Sequence, residues 1–188
     1  PNANAMLEIR IHGRGGQGAQ VACQILAGAF FKAGHYVQAF AAYGGERRGA
    51  PVTAFLRVDD SPIRIRCDIE RPHYVIVLDP TMLGDANVTA NLREGGLALV
   101  NARELPPNAL PLHLRVVSVD AGGIARRAGL GPIVSTAMAG AFAGATGLIS
   151  LPVLEEAVGE GSPAKKEENA VAAREAYLLT AGAEVLGG

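Results

Sequence analysis

The stretch LEIRIHGRGGQGAQVACQILAGAFFKA, residues 7–33, decides the fold. Leu7 to His12 alternates and is rich in β-formers, Gly13 to Gly18 is a glycine loop, and Gln17 to Ala33 has helical length and apolar spacing. A strand, a glycine turn and a helix in that order open a nucleotide-type α/β fold. Gly13, Gly15 and Gly18 satisfy the GxGxxG spacing. Glycines let a backbone turn tightly and approach a ligand, while a helix N-terminus offers unpaired N–H groups to a phosphate or carboxylate. The competing reading is that these glycines serve only close packing of strand on helix.

Outward from this unit, Tyr36 to Phe40 reads as a second strand, followed by the glycine-rich loop Tyr43 to Ala50. Val52 to Val58 and Ile63 to Cys67 flank Asp59, Asp60, Ser61 and Pro62, and read as a β-hairpin. Tyr74 to Leu78 is a short apolar strand ending at Asp79 and Pro80, with a helical stretch to Arg93 closed by Gly95 and Gly96. Leu97 to Val100 and Val116 to Val119 add two strands. The final third is helical: Gly122 to Ala128, a small-residue run from Gly131 to Ile149, Pro152 to Val158, and a last helix with Ser162 as N-cap and Pro163 in its first turn. The expected architecture is α/β, a single-domain Rossmann-like three-layer sandwich. Its sheet is mixed and mostly parallel with one β-hairpin, and helices cover both faces. Pro1 to Ala5 precede Met6 and read as a cloning remnant, leaving residues 6–188 as one domain.

Composition narrows the function. A formal net charge of −1 gives no electrostatic footprint for nucleic acid. Gly131 to Ile149 carries no charge and has Gly140 and Gly144 at GxxxG spacing. Its small and hydroxyl residues nevertheless suit a buried helix that another backbone approaches closely, rather than a membrane span. Cys23 and Cys67 lack metal or cluster spacing and are expected buried, reduced and inert. With no disulfide framework and no signal segment ahead of Leu7, the expected compartment is the cytoplasm. His12, His35, His73 and His113 are scattered without a nucleophile pattern or metal spacing.

A dinucleotide site needs an Asp or Glu at the end of the second strand for the ribose hydroxyls. Gln38, Ala39, Phe40 and Ala41 stand there, and the nearest acid, Glu46, is well into the loop, which weakens a dehydrogenase reading. Glu46, Arg47 and Arg48, with Tyr43, form a candidate ligand or interface loop, since paired arginines can grip an anion or pair across a subunit contact.

GRGGQG after the first strand and YGGERRGAPVTAF after the second together resemble the gamma subunit of pyruvate and related 2-oxoacid:ferredoxin oxidoreductases. The likeness continues through HYVIVLDPTML to the C-terminal KKEENAVAAREAY and spans nearly the whole chain. ERRGAPV is nearer the pyruvate and branched-chain relatives than the 2-oxoglutarate or indolepyruvate ones. The resemblance implies a cytoplasmic hetero-oligomer that decarboxylates a 2-oxoacid oxidatively to acyl-coenzyme A and passes electrons to ferredoxin. It places thiamine diphosphate, Mg and 4Fe-4S clusters in alpha, beta and ferredoxin-like delta partners, and no catalytic residue in this chain. It assigns Gly13, Arg14, Gly15, Gly16, Gln17 and Gly18 to coenzyme A, with help with assembly as the second role. A freestanding dinucleotide-binding module is the alternative. Relatives often carry an asparagine where this chain has Ser135 and Thr136 in IVSTAMAGAF; Ser135 is expected to be a locally satisfied helix hydroxyl.

Overall fold

The computed structural model describes residues 6–43, 49–106, 109–111 and 113–182. Six strands form one sheet: β1 (Leu7–Arg14), β2 (Tyr36–Tyr43), β3 (Pro51–Asp59), β4 (Tyr74–Val77), β5 (Leu97–Asn101) and β6 (Arg115–Val119). Their spatial order is β2-β3-β1-β4-β5-β6. β1, β4, β5 and β6 run parallel, whereas β3 lies antiparallel to both β1 and β2, so the sheet is mixed as expected. Val75, Ile76 and Val77 are all fully buried, the apolar run that a central parallel strand requires.

Five α-helices follow the chain: α1 (Ala19–Lys32), α2 (Ala121–Arg127), α3 (Ser135–Thr146), α4 (Leu151–Gly161) and α5 (Lys166–Thr180). On α1, Ala22, Cys23, Ile25, Leu26, Ala29 and Phe30 form the buried stripe. They pack with Ile9 and Ile11 of β1, and all five helices join this one core. The opposite face is covered unequally, by 3-10 helices at Pro80–Gly84 and Ala86–Val88 and by extended segments over Val75, Val77, Ala98 and Val100. The third layer is therefore made of turns, and the helix expected up to Arg93 is two short 3-10 turns.

The hairpin exists but joins β2 to β3 rather than Val52–Val58 to Ile63–Cys67. The reason is topological: β3 is paired on both edges, by β1 and β2, and has no free edge for residues 63–67. That segment crosses the second face instead. Arg57, 1% exposed, holds it by donating to the Asp68 carbonyl, and also donates to Glu8 and Gln38. Cys67 is exposed on this segment, against the expectation of burial. Cys23 is buried as expected, and burial pushes its thiol pKa up to about 12.

The charge-free run 131–149 forms a helix only over Ser135–Thr146, and its glycines work as the spacing suggested. A Cβ on Gly140 would sit 2.1 Å from the Ala173 carbonyl oxygen, and one on Gly144 2.3 Å from that of Tyr177. Backbone-to-backbone contact between α3 and α5 therefore depends on both. Ser162 follows α4 as its C-cap, and α5 begins beyond Lys165, whose left-handed φ of 51 makes the turn.

Candidate functional site

The glycine loop sits at the carboxyl end of β1, beside the end of parallel β4, where open α/β sheets place their ligands. β1 runs through to Arg14, so Gly13 is a strand residue; a Cβ there would crowd Ala19 at 3.3 Å and Leu78 at 3.4 Å. Left-handed φ values of 98 and 88 fall on Gly16 and Gly18. Gly15 donates its N–H to the Ala50 carbonyl at 2.9 Å, tying the loop to the start of the next segment.

Asp79 fixes the loop's shape. Its carboxylate accepts from Arg14 Nε at 3.1 Å, Gln17 Nε2 at 3.0 Å, and the Thr81 N–H and hydroxyl at 3.0 and 2.6 Å. Gln17 Oε1 also accepts from the Arg14 N–H at 2.7 Å, closing a small network. Burial pushes the Asp79 pKa up, but the hydrogen bonds from Thr81 and Gln17 and the Arg14 charge outweigh it and hold it below the ordinary carboxylate value. The loop motif did not reveal Asp79; the Asp-Pro pair closing β4 was its available signal.

Beside the loop opens a pocket of about 500 Å³. One wall is Arg14, Gly15, Gly16, Gly18 and the first turn of α1. The other comes from the last third of the chain, with Leu130, Ile133, Ser135, the turn Ser162–Lys165 and Asn169. Gly13 and Gln17 support the loop without lining the pocket. The N-termini of α1, α3 and α5 all reach this pocket, and neither α1 nor α3 has an acid in its first turn. Arg14 and Lys165 are the ionisable side chains among the described lining residues, with Lys165 Nζ also donating to the Gly129 carbonyl at 2.5 Å. Helix N-termini and two cations suit an anionic group.

Asn169 braces the distal wall. Its Nδ2 donates to the Ala164 and Lys165 carbonyls at 2.9 and 2.8 Å, while its Oδ1 accepts from the Thr136 hydroxyl at 2.9 Å. Thr136 is thus satisfied across two helices. Ser135 is not: its hydroxyl is buried without a partner, as is that of Ser162, which corrects the expectation of a locally bonded Ser135.

Glu46, Arg47, Arg48 and the side chain of Tyr43 lie outside the described residues, as do Pro1 to Ala5. The histidines stand apart from the pocket. His12 is buried beneath the other face of the sheet, His35 pairs with Asp60 at 2.8 Å, His73 Nδ1 accepts the Glu8 N–H, and His113 is exposed. No group of three or more His, Cys, Asp or Glu among the described residues is placed to hold a metal ion. Among those residues no helix is long and apolar enough to cross a membrane.

The geometry also bears on the dinucleotide alternative. β3 separates β2 from β1, so the carboxyl end of β2 lies two strand spacings, about 10 Å, from the glycine loop instead of beside it. β2 runs on to Tyr43, so Gln38 stands near its start, in register with Arg57 and Glu8 rather than with the glycine loop, and is held by Arg57 and the Ile65 carbonyl.

A family model described as pyruvate ferredoxin/flavodoxin oxidoreductase matches residues 8–179. The chain is 51% identical over 180 residues to the pyruvate/ketoisovalerate oxidoreductases common subunit gamma of Thermococcus kodakarensis, covering 93% of this chain and 97% of that one. It is 48% identical to the pyruvate synthase subunit PorC of Methanocaldococcus jannaschii, over 92% and 96% of the two chains. The crystal structure of pyruvate oxidoreductase subunit PORC from Thermotoga maritima superposes with a TM-score of 0.81 at 35% identity, covering 92% of this chain and 96% of that one.

Proposed function

The chain belongs to the pyruvate ferredoxin/flavodoxin oxidoreductase family, and from that premise we propose that it is the gamma-type subunit of a 2-oxoacid:ferredoxin oxidoreductase whose glycine-loop pocket receives coenzyme A. One observation carries the ligand assignment: the pocket collects helix N-termini and the cations Arg14 and Lys165, while no acid–base pair is among its described lining residues. That chemistry binds and orients an anion; it does not break bonds. The phosphates of coenzyme A meet the N–H groups of the loop and the first turn of α1. Arg14, presented by Asp79, faces them across the loop.

Decarboxylation of the oxoacid and single-electron transfer belong to thiamine diphosphate with Mg and to 4Fe-4S clusters, which we assign to alpha, beta and delta partner chains, with ferredoxin as acceptor. This chain contributes the coenzyme A pocket and its part of the assembly. We assign the complex to the cytoplasm, a reducing compartment that suits the exposed free thiol of Cys67. A native pull-down of the chain from its source cell tests the reading. It should bring partner chains whose 2-oxoacid-dependent reduction of methyl viologen requires coenzyme A. A solitary chain, or partners without that activity, would overturn it.

A further inference from the structure

The two edges of the sheet are guarded unequally. β6 is short, five residues, and opens on the exposed Arg115; short length and charge both keep foreign strands off an edge. β2 closes the other edge with eight residues, YVQAFAAY, that hold no charge, no proline and no bulge in their register with β3. Among the described residues no strand pairs with its outer side, so alternate N–H and C=O groups face outward along about 25 Å of backbone. Apolar side chains gather beside it. Phe31, 68% exposed, stands at the turn from α1 into β2, where its carbonyl accepts the Gly34 N–H. Tyr36, 50% exposed, starts the strand, and the exposed Ile65 supplies the carbonyl that Gln38 binds. Three of the eight large apolar side chains exposed among the described residues therefore flank this one strand, which marks it as a contact surface.

The chemistry of the edge selects the occupant. Outward backbone donors and acceptors are matched by an extended strand, and uncharged flanks by an uncharged one. We infer that β2 pairs antiparallel with β2 of a second copy of this chain, so that one sheet runs through a two-fold dimer. A two-fold contact sets each group near the axis against its own copy, and charges there would repel. β2 has none. The nearest acidic pair, Asp59 and Asp60, stands at the Tyr36 end of the strand, since Tyr36 is in register with Asp59. Antiparallel pairing sends the two copies of that pair to opposite ends of the seam, about 25 Å apart, whereas parallel pairing would bring them together. Antiparallel is also the direction in which β2 already meets β3. The helical layer stops short of the edge in a way that suits this contact. Val37 and Ala41 pack on the core beneath the helices, yet Ala39 between them is exposed at the middle of the strand, beside the axis.

Sedimentation equilibrium of the full chain tests the inference without coenzyme A, so its outcome is separate from the ligand reading above. The native chain should sediment at twice its 19.4 kDa, and Ala39→Lys at the single-chain mass under the same conditions. That lysine stands at an exposed position and meets its own copy across the axis. Circular dichroism should show both proteins equally folded. Phe31→Lys lies off the strand and keeps the test decisive if Ala39→Lys disturbs β2; it should raise the dimer dissociation constant about tenfold, which is about 1.4 kcal/mol of lost apolar burial. A native chain that is monomeric overturns the inference, and so does a dimer that both variants leave intact. If the native chain is monomeric and Ala39→Lys instead strips partner chains from a native pull-down, the edge takes a strand of a partner subunit and self-pairing falls.

Discussion

Two glycine-to-alanine substitutions should move stability in opposite directions, although each adds the same methyl group to a helix interior. Either gains about 1 kcal/mol from helix propensity. At Gly28 on α1 the new Cβ meets only the Ala157 Cβ, at 3.9 Å, an ordinary contact. Gly28→Ala should therefore stabilise the protein by about 0.5–1 kcal/mol. At Gly140 on α3 the same atom lies 2.1 Å from the Ala173 carbonyl oxygen and 2.9 Å from its Cα. Both are backbone, so no rotamer change relieves the clash, and α5 must retreat by about 1 Å along its contact with α3. Overpacking of that kind costs about 3 kcal/mol, leaving a net loss of about 2 after the propensity gain. For a chain of this length each kcal/mol moves Tm by about 2–4 °C. Thermal unfolding followed by circular dichroism should show Gly28→Ala raised by about 1–4 °C and Gly140→Ala lowered by about 4–8 °C. Equal shifts, or a rise at Gly140, would refute the claim that α3 and α5 meet backbone to backbone.

Asp79→Asn should cost about 1–3 kcal/mol at pH 7 in urea unfolding, because an amide nitrogen would face the Arg14 and Gln17 donors. The carboxylate's folded pKa is depressed, so its contribution is present above the ordinary value of 3.8 and fades as pH falls through the folded pKa; the gap between the two proteins should close there. Burial, then the Arg10 charge, lowers the His12 pKa to about 4 against an upward pull from Asp85. The unfolded chain binds that proton from about 6.5 downward and the folded chain only near 4. Stability is therefore complete above 6.5 and falls by up to about 3 kcal/mol as pH drops to 4, and His12→Gln should flatten that slope. A disulfide reagent should modify Cys67 rapidly in the native protein and leave Cys23 untouched until unfolding; two equally fast thiols would contradict the packing of α1 on β3.

The opening strand, glycine loop and helix were legible because their signals are local: alternation, glycine spacing and a 3.6-residue apolar stripe. The GxxxG pair was legible for the same reason, since Gly140 and Gly144 lie one turn apart on one helix face. The hairpin partner was misplaced because Asp59–Pro62 carries a turn signal, whereas the lack of a free edge on β3 is a property of the whole sheet. The distal half of the site was hidden for a related reason. Ser135 and Ser162 reach the glycine loop only when α3 and the α4–α5 turn fold back across more than a hundred residues, and no motif joins them. Cys67 looked apolar from its neighbours, but the segment holding it lies on the second face of the sheet, where Arg57 pins it, a contact invisible to spacing.

Backbone amide exchange in the assembled complex measures directly where coenzyme A lies in this chain. Adding coenzyme A should slow exchange across residues 14–21 and 162–169 together, the two walls of the pocket, and leave β5 and β6 unchanged. Protection confined to other elements, or none at either wall in a complex that still uses coenzyme A, would contradict it.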